Sequence, residues 1–122
     1  MSLLIRPLPM GKARLRNRLV MPPMATEKSE GQGKVSDALC EYYGEKTKGG
    51  YFGLVVAEHS YICKEGQASK GQVSFSSDDD VPGLKRLVEV IHRNGCKVVA
   101  QINHAGGKSI SALGGESLTA PA

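Results

Sequence analysis

Polar side chains that could bind a ligand follow an apolar stretch near the end of the chain. In the segment VVAQINHAGGKS, Val98 to Ser109, Gln101, Asn103 and His104 lie close together. A glutamine amide offers both a donor and an acceptor, which suits the edge of a heterocycle with adjacent C=O and N–H groups. A lone histidine in such a loop is more often a hydrogen-bonding strut than a metal ligand. Gln101 is therefore the strongest candidate, and a glutamine that satisfies loop backbone is the competing interpretation.

Carboxylates and histidines elsewhere could do acid–base or metal chemistry. Glu58 and His59 are adjacent, and neighbours in an extended chain point to opposite faces, which argues against an acid–base pair. We expect Glu58 to be a buried carboxylate that holds neighbouring loops by accepting backbone N–H groups. The run Asp78–Asp80 could suggest a divalent cation, but a helix N-terminus attracts carboxylates by its own electrostatics. We predict no metal site and assign no catalytic residue in this chain.

The composition fits one ordinary globular domain. The chain has 122 residues, of which 40% are hydrophobic and 23% charged, as in typical soluble domains. No apolar run approaches the roughly 18 residues of a membrane helix. The N-terminus also lacks the hydrophobic core of a secretory signal. These features predict a soluble, cytoplasmic protein that does not bind membranes.

Charge and cysteine content argue against two further classes of protein. The formal charge of +4 owes much to alternating basic residues, which would share one face of an extended segment: Lys12, Arg14, Arg16 and Arg18. Because no aromatic stacking platform accompanies them, a solvated face is favoured over nucleic-acid binding. The three cysteines, Cys40, Cys63 and Cys96, lie far apart. Their spacing predicts reduced thiols rather than a zinc motif or a disulfide framework.

Strand and helix signals alternate along the chain. Buried apolar runs predict strands covered on both faces, while caps, glycines and prolines mark the ends of the elements. The first half comprises an extended cap over residues 1–18, a strand at Leu19–Met21 stopped by Pro22-Pro23, and a helix from the N-cap Ser36 to Gly49-Gly50. The second half comprises a strand at Phe52–Glu58, a polar loop at His59–Ser77, a helix after Asp78–Asp80 and a strand at Cys96–Ile102.

This order of elements predicts an α/β fold with parallel strands and right-handed crossovers. A doubly wound nucleotide-binding sheet would need a glycine-rich turn after the first strand, and Pro22–Thr26 is not one. A (β/α)8 barrel fits better, although a whole barrel needs about 250 residues and only three of its strands are visible. We therefore predict the N-terminal part of a barrel, with its first βα units in residues 19–122. Functional loops would leave the strand ends at Pro22–Glu27, Glu58–Tyr61 and Gln101–Gly107.

Four blocks of sequence resemble the N-terminal part of the old yellow enzyme family of FMN-dependent oxidoreductases. They are LRNRLVMPPMAT, YYGEKTKGGYFGLVVAEHSYI, VPGLKRLVEVIHRNGCKVVAQINHAGGKS and TAPA, in register from about Pro7 to Ala122. The resemblance implies a (β/α)8 barrel that holds FMN at its C-terminal mouth. It also implies hydride transfer from NADH or NADPH through the flavin to an activated alkene, such as an enone or enoyl thioester. The PPMAT motif is more similar to the 2,4-dienoyl-CoA reductase and enoate reductase branch.

The same resemblance implies which residues contact the cofactor. Pro23, Met24 and Ala25 would lie against the isoalloxazine ring, His59 at the second-strand contact, and Gln101 on the pyrimidine edge. Ala25 stands where relatives often have a cysteine or threonine, so tuning by that side chain is not expected. His59 replaces a residue that is usually small, so its contact would be made by backbone. Gly107 stands where the HAGR motif of the family has arginine.

The family's substrate-holding pair, its proton-donating tyrosine and its phosphate loops come later than the matched blocks. We therefore expect the 122-residue chain alone to be inactive, and an exposed barrel edge to favour self-association. The alternative is a non-catalytic barrel fragment or interaction module. Another type of barrel enzyme, such as an aldolase, would leave the four blocks unexplained.

Overall fold

A computed structural model describes residues 2–110 of the chain. Its strands are β1 (Leu8–Met10), β2 (Ala13–Leu15), β3 (Val20–Met21), β4 (Leu54–Tyr61), β5 (Val73–Ser74) and β6 (Lys97–Asn103). Its helices are α1 (Asp37–Thr47) and α2 (Val81–Arg93). Short 3₁₀ turns lie at Leu3–Ile5, Lys64–Gly66, Asp78–Asp80 and Gly106–Lys108. The parallel βαβ order predicted from the sequence is confirmed.

Strand β4 is the centre of the main sheet, and every strand that pairs with it is parallel to it. It pairs along its length with β6, from Leu54↔Lys97 to Tyr61↔Asn103. β3 pairs with its beginning and β5 with its end. Because β6 follows the whole of one edge, β3 and β5 must share the other edge. A gap therefore separates β3 from β5, and Thr26, in the chain that follows β3, contacts the side chain of Glu58 in the part of β4 that faces this gap.

The core lies between this sheet and the two helices. The hydroxyl oxygen of Ser36 accepts a 3.0 Å hydrogen bond from Leu39 N–H, so the predicted N-cap is present at the start of α1. Apolar side chains from α1, α2, the strands and the residues just before α1 and β6 form one cluster. It comprises Met21, Val35, Leu39, Tyr43, Val55, Ala57, Val73, Leu87, Ile91 and Cys96. This packing fixes the sheet against the helices.

Two predictions about irregular segments were incomplete. The N-terminal cap contains an antiparallel hairpin of β1 and β2. The predicted loop His59–Ser77 begins too early, because β4 continues to Tyr61, and it contains the short strand β5 at Val73–Ser74. The missed strands β1, β2 and β5 are only two or three residues long, too short to show a pattern of apolar residues. β6 likewise extends to Asn103, one residue beyond its predicted end.

The aspartate run precedes α2, as its interpretation as a helix start predicts. Asp80 is buried and accepts hydrogen bonds from Lys34 Nζ at 2.6 Å, Ser74 Oγ at 2.7 Å and Ser77 N–H at 3.1 Å. Burial acts to raise the pKa of Asp80, but these donors outweigh it and hold the pKa below its ordinary value. The three cysteines are free, as expected.

Ionised Asp80 is expected to stabilise the folded protein. Its pKa is lowered on folding, so this contribution is present above about pH 4 and is lost as the pH falls through the folded pKa. Asp80→Asn should therefore reduce the free energy of unfolding at pH 7, with a smaller difference from wild type at acid pH. Urea unfolding from pH 7 to pH 2.5 measures this difference. Asp79→Asn, at an exposed neighbour, is the matched control, and a pH-independent effect of Asp80→Asn would contradict the assignment.

Candidate functional site

The loop after β3 lies at the carboxyl-end edge of the sheet. Pro23 is half-buried, Ala25 is exposed, and the side chain of Met24 is 55% exposed. Because β3, β4 and β6 are parallel, their carboxyl ends point the same way. The loop therefore shares an edge with the second halves of β4 and β6, the position where ligands bind in parallel α/β folds.

His59 and Gln101 are partners in the pairing of β4 with β6. Between Val56 and His59 the register shifts, so that Ala57 and Glu58 together lie opposite Ala100. This is the arrangement of a β-bulge, in which two residues oppose one. His59 is half-buried and Gln101 is exposed. The structure thus brings together these two predicted site residues, which are far apart in sequence.

Glu58 is a buried carboxylate at the bulge, as predicted, with 2% of its surface exposed. Thr26 donates to it twice, through its N–H at 3.3 Å and through its hydroxyl, which lies 3.0 and 2.9 Å from the two carboxylate oxygens. The Tyr43 hydroxyl donates to Glu58 Oε2 at 3.3 Å and accepts from the Glu58 N–H at 2.8 Å. Glu58 therefore joins β4 to α1 and to the loop after β3.

Burial dominates the ionisation of this group. Desolvation raises the pKa of Glu58, although the donors on Thr26 and Tyr43 act in the opposite direction. Burial also raises the pKa of Tyr43, so its phenol stays protonated at neutral pH. A protonated phenol is both donor and acceptor. The Tyr43 hydroxyl therefore donates to a carboxylate oxygen of Glu58 and accepts from the Glu58 N–H, which lies in the bulge and not in the regular strand pairing.

A second carboxylate holds the same loop from the other side. Glu27 has φ of +57°, a left-handed conformation that is uncommon for a residue other than glycine. Its side chain accepts from the Gly71 N–H at 2.9 Å and from the Ser69 hydroxyl. A Cβ added to Gly71 would lie 2.6 Å from Glu27 Cα, so only glycine permits this approach. The loop is therefore anchored at two successive residues, Thr26 and Glu27.

Asn103 and His104 hold loops together. The buried Gln72 amide donates to Asn103 Oδ1 at 3.4 Å. His104 Nδ1 accepts from the Gly106 N–H at 3.1 Å, and the ring packs beside Gly66. This geometry agrees with the interpretation of His104 as a strut. Within residues 2–110, no group of three or more histidine, cysteine, aspartate or glutamate side chains is placed to hold a metal ion.

The structure adds three residues to this region that the sequence analysis did not single out: Thr26, Glu27 and Tyr43. The expected burial of Glu58 was the one sign in the sequence that such residues exist, because a buried carboxylate needs hydrogen-bond donors within reach. The sequence did not show which donors those are, because Tyr43 reaches the carboxylate from another element. In the part of the chain that the structure describes, no helix has the length and apolar character needed to cross a membrane.

Comparison with known proteins identifies the family. The family model described as NADH:flavin oxidoreductase / NADH oxidase matches residues 3–117. The chain belongs to this family. A relative named metal reductase, from Desulforamulus reducens, is 38% identical over 121 residues, which are 99% of this chain and 18% of the relative. The chain therefore spans less than a fifth of the length of this NADH:flavin oxidoreductase family relative.

Solved structures confirm the fold. A 2-naphthoyl-CoA reductase in complex with 2-naphthoyl-CoA is 30% identical with a TM-score of 0.85, over 90% of this chain and 17% of that one. An old yellow enzyme homologue from Zymomonas mobilis is 23% identical with a TM-score of 0.83. The match covers 92% of this chain and 31% of that one. The predicted N-terminal part of a (β/α)8 barrel is thereby confirmed. So is the resemblance to the old yellow enzymes, which use FMN and NAD(P)H.

The residues at the strand ends fit one part of a flavin. Gln101 presents an exposed amide with donor and acceptor atoms, which suits the pyrimidine edge of the ring system. Pro23, Met24 and Ala25 form an apolar segment that leaves β3 toward the same edge of the sheet, suited to a flat aromatic surface. The assignment of these residues and of His59 to FMN stays a prediction.

The Tyr43 hydroxyl is expected to matter far more than that of its neighbour. Tyr43→Phe leaves the buried Glu58 N–H without its acceptor, and such a loss costs about 1–3 kcal/mol in the free energy of unfolding. Tyr42→Phe is the matched control, because the Tyr42 ring packs edge-on against Tyr43 and beside Lys46 without using its hydroxyl. Urea unfolding followed by circular dichroism compares the two. Equal losses in both variants would show that the Glu58 contact contributes nothing.

Proposed function

We propose that this chain forms the part of an FMN-dependent oxidoreductase that lies against the flavin ring. The observation that carries the proposal is the pairing of His59 with Gln101 at the carboxyl-end edge of a parallel sheet, toward which the loop Pro23–Ala25 also leaves β3. Residues from three stretches of the sequence, which the family resemblance assigns to one cofactor, thus lie toward one edge of the sheet. Family membership supports the proposal, because the matched family is one of flavin oxidoreductases.

Each of these residues has a physical role in the proposal. Bound FMN would supply the hydride-accepting and hydride-donating ring. The Gln101 amide would orient that ring and donate toward the edge where negative charge develops on reduction. Pro23, Met24 and Ala25 would cover an apolar face and exclude water. We assign no proton-donating residue within residues 2–110.

His59 would contact the flavin through its backbone. Its side chain is larger than the residue that relatives usually have at this position, and it is half-buried. A backbone contact tolerates a change of side chain, which is why the larger residue does not argue against the proposal.

We infer that the whole enzyme passes hydride from NADH or NADPH through FMN to an activated alkene, such as an enone or an enoyl thioester. The likeness to a 2-naphthoyl-CoA reductase supports a conjugated thioester as the substrate class. A small-molecule substrate, and neither nucleic acid nor membrane, is the ligand that the composition favours. A cytoplasmic location is part of the same proposal.

Gln101→Ala is expected to weaken FMN binding about 5- to 30-fold, the effect of losing one or two hydrogen bonds. The measurement is titration of the apoprotein with FMN, at the native length of the protein, followed by flavin fluorescence. Gln32→Ala is the control, because that residue is exposed in a loop and contributes its backbone carbonyl to Tyr61. A dissociation constant unchanged by Gln101→Ala would remove Gln101 from the site. A wild-type protein that stays colourless with added FMN would refute flavin binding.

The unpaired edge of β6 favours a second candidate, a barrel fragment that acts as an interaction module. Among the described strands β6 pairs with β4 alone, and on β6 the side chains of Val99 and Ile102 are 42% and 63% exposed. An apolar groove of about 170 Å³ lies beside it, lined in part by Leu84, Val88 and Val98. Such an edge is a template for pairing with another chain.

If the 122-residue chain self-associates through this edge, Ile102→Lys should shift it toward monomer. Sedimentation velocity at several concentrations measures the shift. Lys85→Glu, on the exposed surface of α2, changes charge away from the edge and serves as the control. A chain that is monomeric at all concentrations would exclude self-association through this edge.

A further inference from the structure

The contact between Glu58 and Thr26 lies one residue from the loop assigned to the flavin. The Thr26 N–H that donates to Glu58 belongs to the same peptide group as the Ala25 carbonyl. A trans peptide is planar, and its N–H and C=O point in opposite directions. Holding the N–H toward Glu58 therefore turns the Ala25 carbonyl away from the buried carboxylate. One hydrogen bond thus sets the orientation of the Ala25–Thr26 peptide.

The Thr26 hydroxyl fixes the side chain of the same residue. It lies within 3.0 Å of both carboxylate oxygens of Glu58 and accepts from the Lys28 N–H at 3.3 Å. Directly afterwards the chain turns through the left-handed Glu27, which is held by Gly71. The peptide is therefore restrained on both sides of Thr26.

Neutral donors hold this carboxylate. The hydrogen bonds to the side chain of Glu58 within residues 2–110 come from Thr26 and Tyr43, and no lysine or arginine pairs with it there. Hydrogen bonds weaken when the N–H or O–H group points away from the acceptor. The stability of a buried carboxylate that is held only by such groups is therefore more sensitive to their directions than that of an exposed ion pair. A small displacement of Thr26 would leave a buried charge short of donors, and this strongly disfavours such displacements.

We propose that Glu58 is a positioning residue that acts through Thr26 to orient the Ala25–Thr26 peptide against the flavin. Glu58 itself does not touch the cofactor. It sets the affinity for FMN and the reduction potential of bound FMN by fixing the backbone beneath the ring. This inference rests on the proposed function, because it takes Pro23–Ala25 as the flavin-contacting loop.

The test compares Thr26→Val with Thr26→Ser in the protein at its native length. Valine keeps the shape of the side chain and removes the hydroxyl donor, whereas serine keeps the donor. We expect Thr26→Val to weaken FMN binding about tenfold, the effect of disrupting one charge-assisted hydrogen bond. It should also shift the visible absorbance bands and the reduction potential of the bound flavin. Thr26→Ser should restore all three properties, and Glu58→Gln should reproduce the changes seen in Thr26→Val.

Thr47→Val is the matched control for loss of stability alone. Thr47 is a buried threonine at the far end of α1, where its hydroxyl donates to the Tyr43 carbonyl and accepts from the Asn94 amide. This variant should unfold more easily yet keep the wild-type flavin spectrum and potential.

The outcomes separate the two proposals. If wild type binds FMN and Thr26→Val and Glu58→Gln change the spectrum and potential no more than Thr47→Val does, the positioning role is overturned and flavin binding stands. If wild type binds no FMN, the proposed function is overturned, and the positioning role with it.

Discussion

Parallel pairing along β4 is the constraint on which the rest of this structure depends. β6 occupies one edge of β4 from end to end, and β3 and β5 share the other edge with a gap between them. In the chain after β3, Thr26 contacts the side chain of Glu58, which lies in the part of β4 between these two pairings. Strand order thus determines which loops meet, and the buried carboxylate then fixes how they meet. The proposed flavin site depends on both.

The elements that could be predicted from sequence are those with local signals. Ser36 and Gly49-Gly50 mark the limits of α1, and continuous apolar runs mark β4 and β6. The hairpin of β1 and β2 and the two-residue strand β5 lack such signals, because strands of two or three residues are too short to show a pattern of apolar residues. The burial of Glu58 was predictable from its place after an apolar run, whereas its partnership with Tyr43 depends on how α1 packs against β4.

The candidate site likewise has features that the sequence predicted and features that it did not. The strand-end rule for parallel sheets located Pro22–Glu27, Glu58–Tyr61 and Gln101–Gly107 together. Choosing Gln101, His59 and Pro23–Ala25 within those segments required the family resemblance, since spacing alone left Gln101 at an even choice between ligand and loop. Thr26 and Glu27 were missed because their contacts are with Glu58 and with Gly71, which no local pattern connects to them.

The bulge at Ala57 and Glu58 also decides which side chain neighbours Gln101. With regular pairing continued from Val56↔Val99, the residue opposite Gln101 would be Glu58, two positions further along each strand. The extra residue places His59 there instead and leaves Glu58 to Thr26 and Tyr43. The bulge therefore keeps a carboxylate away from the position opposite Gln101, where, in the proposed function, negative charge would oppose flavin reduction.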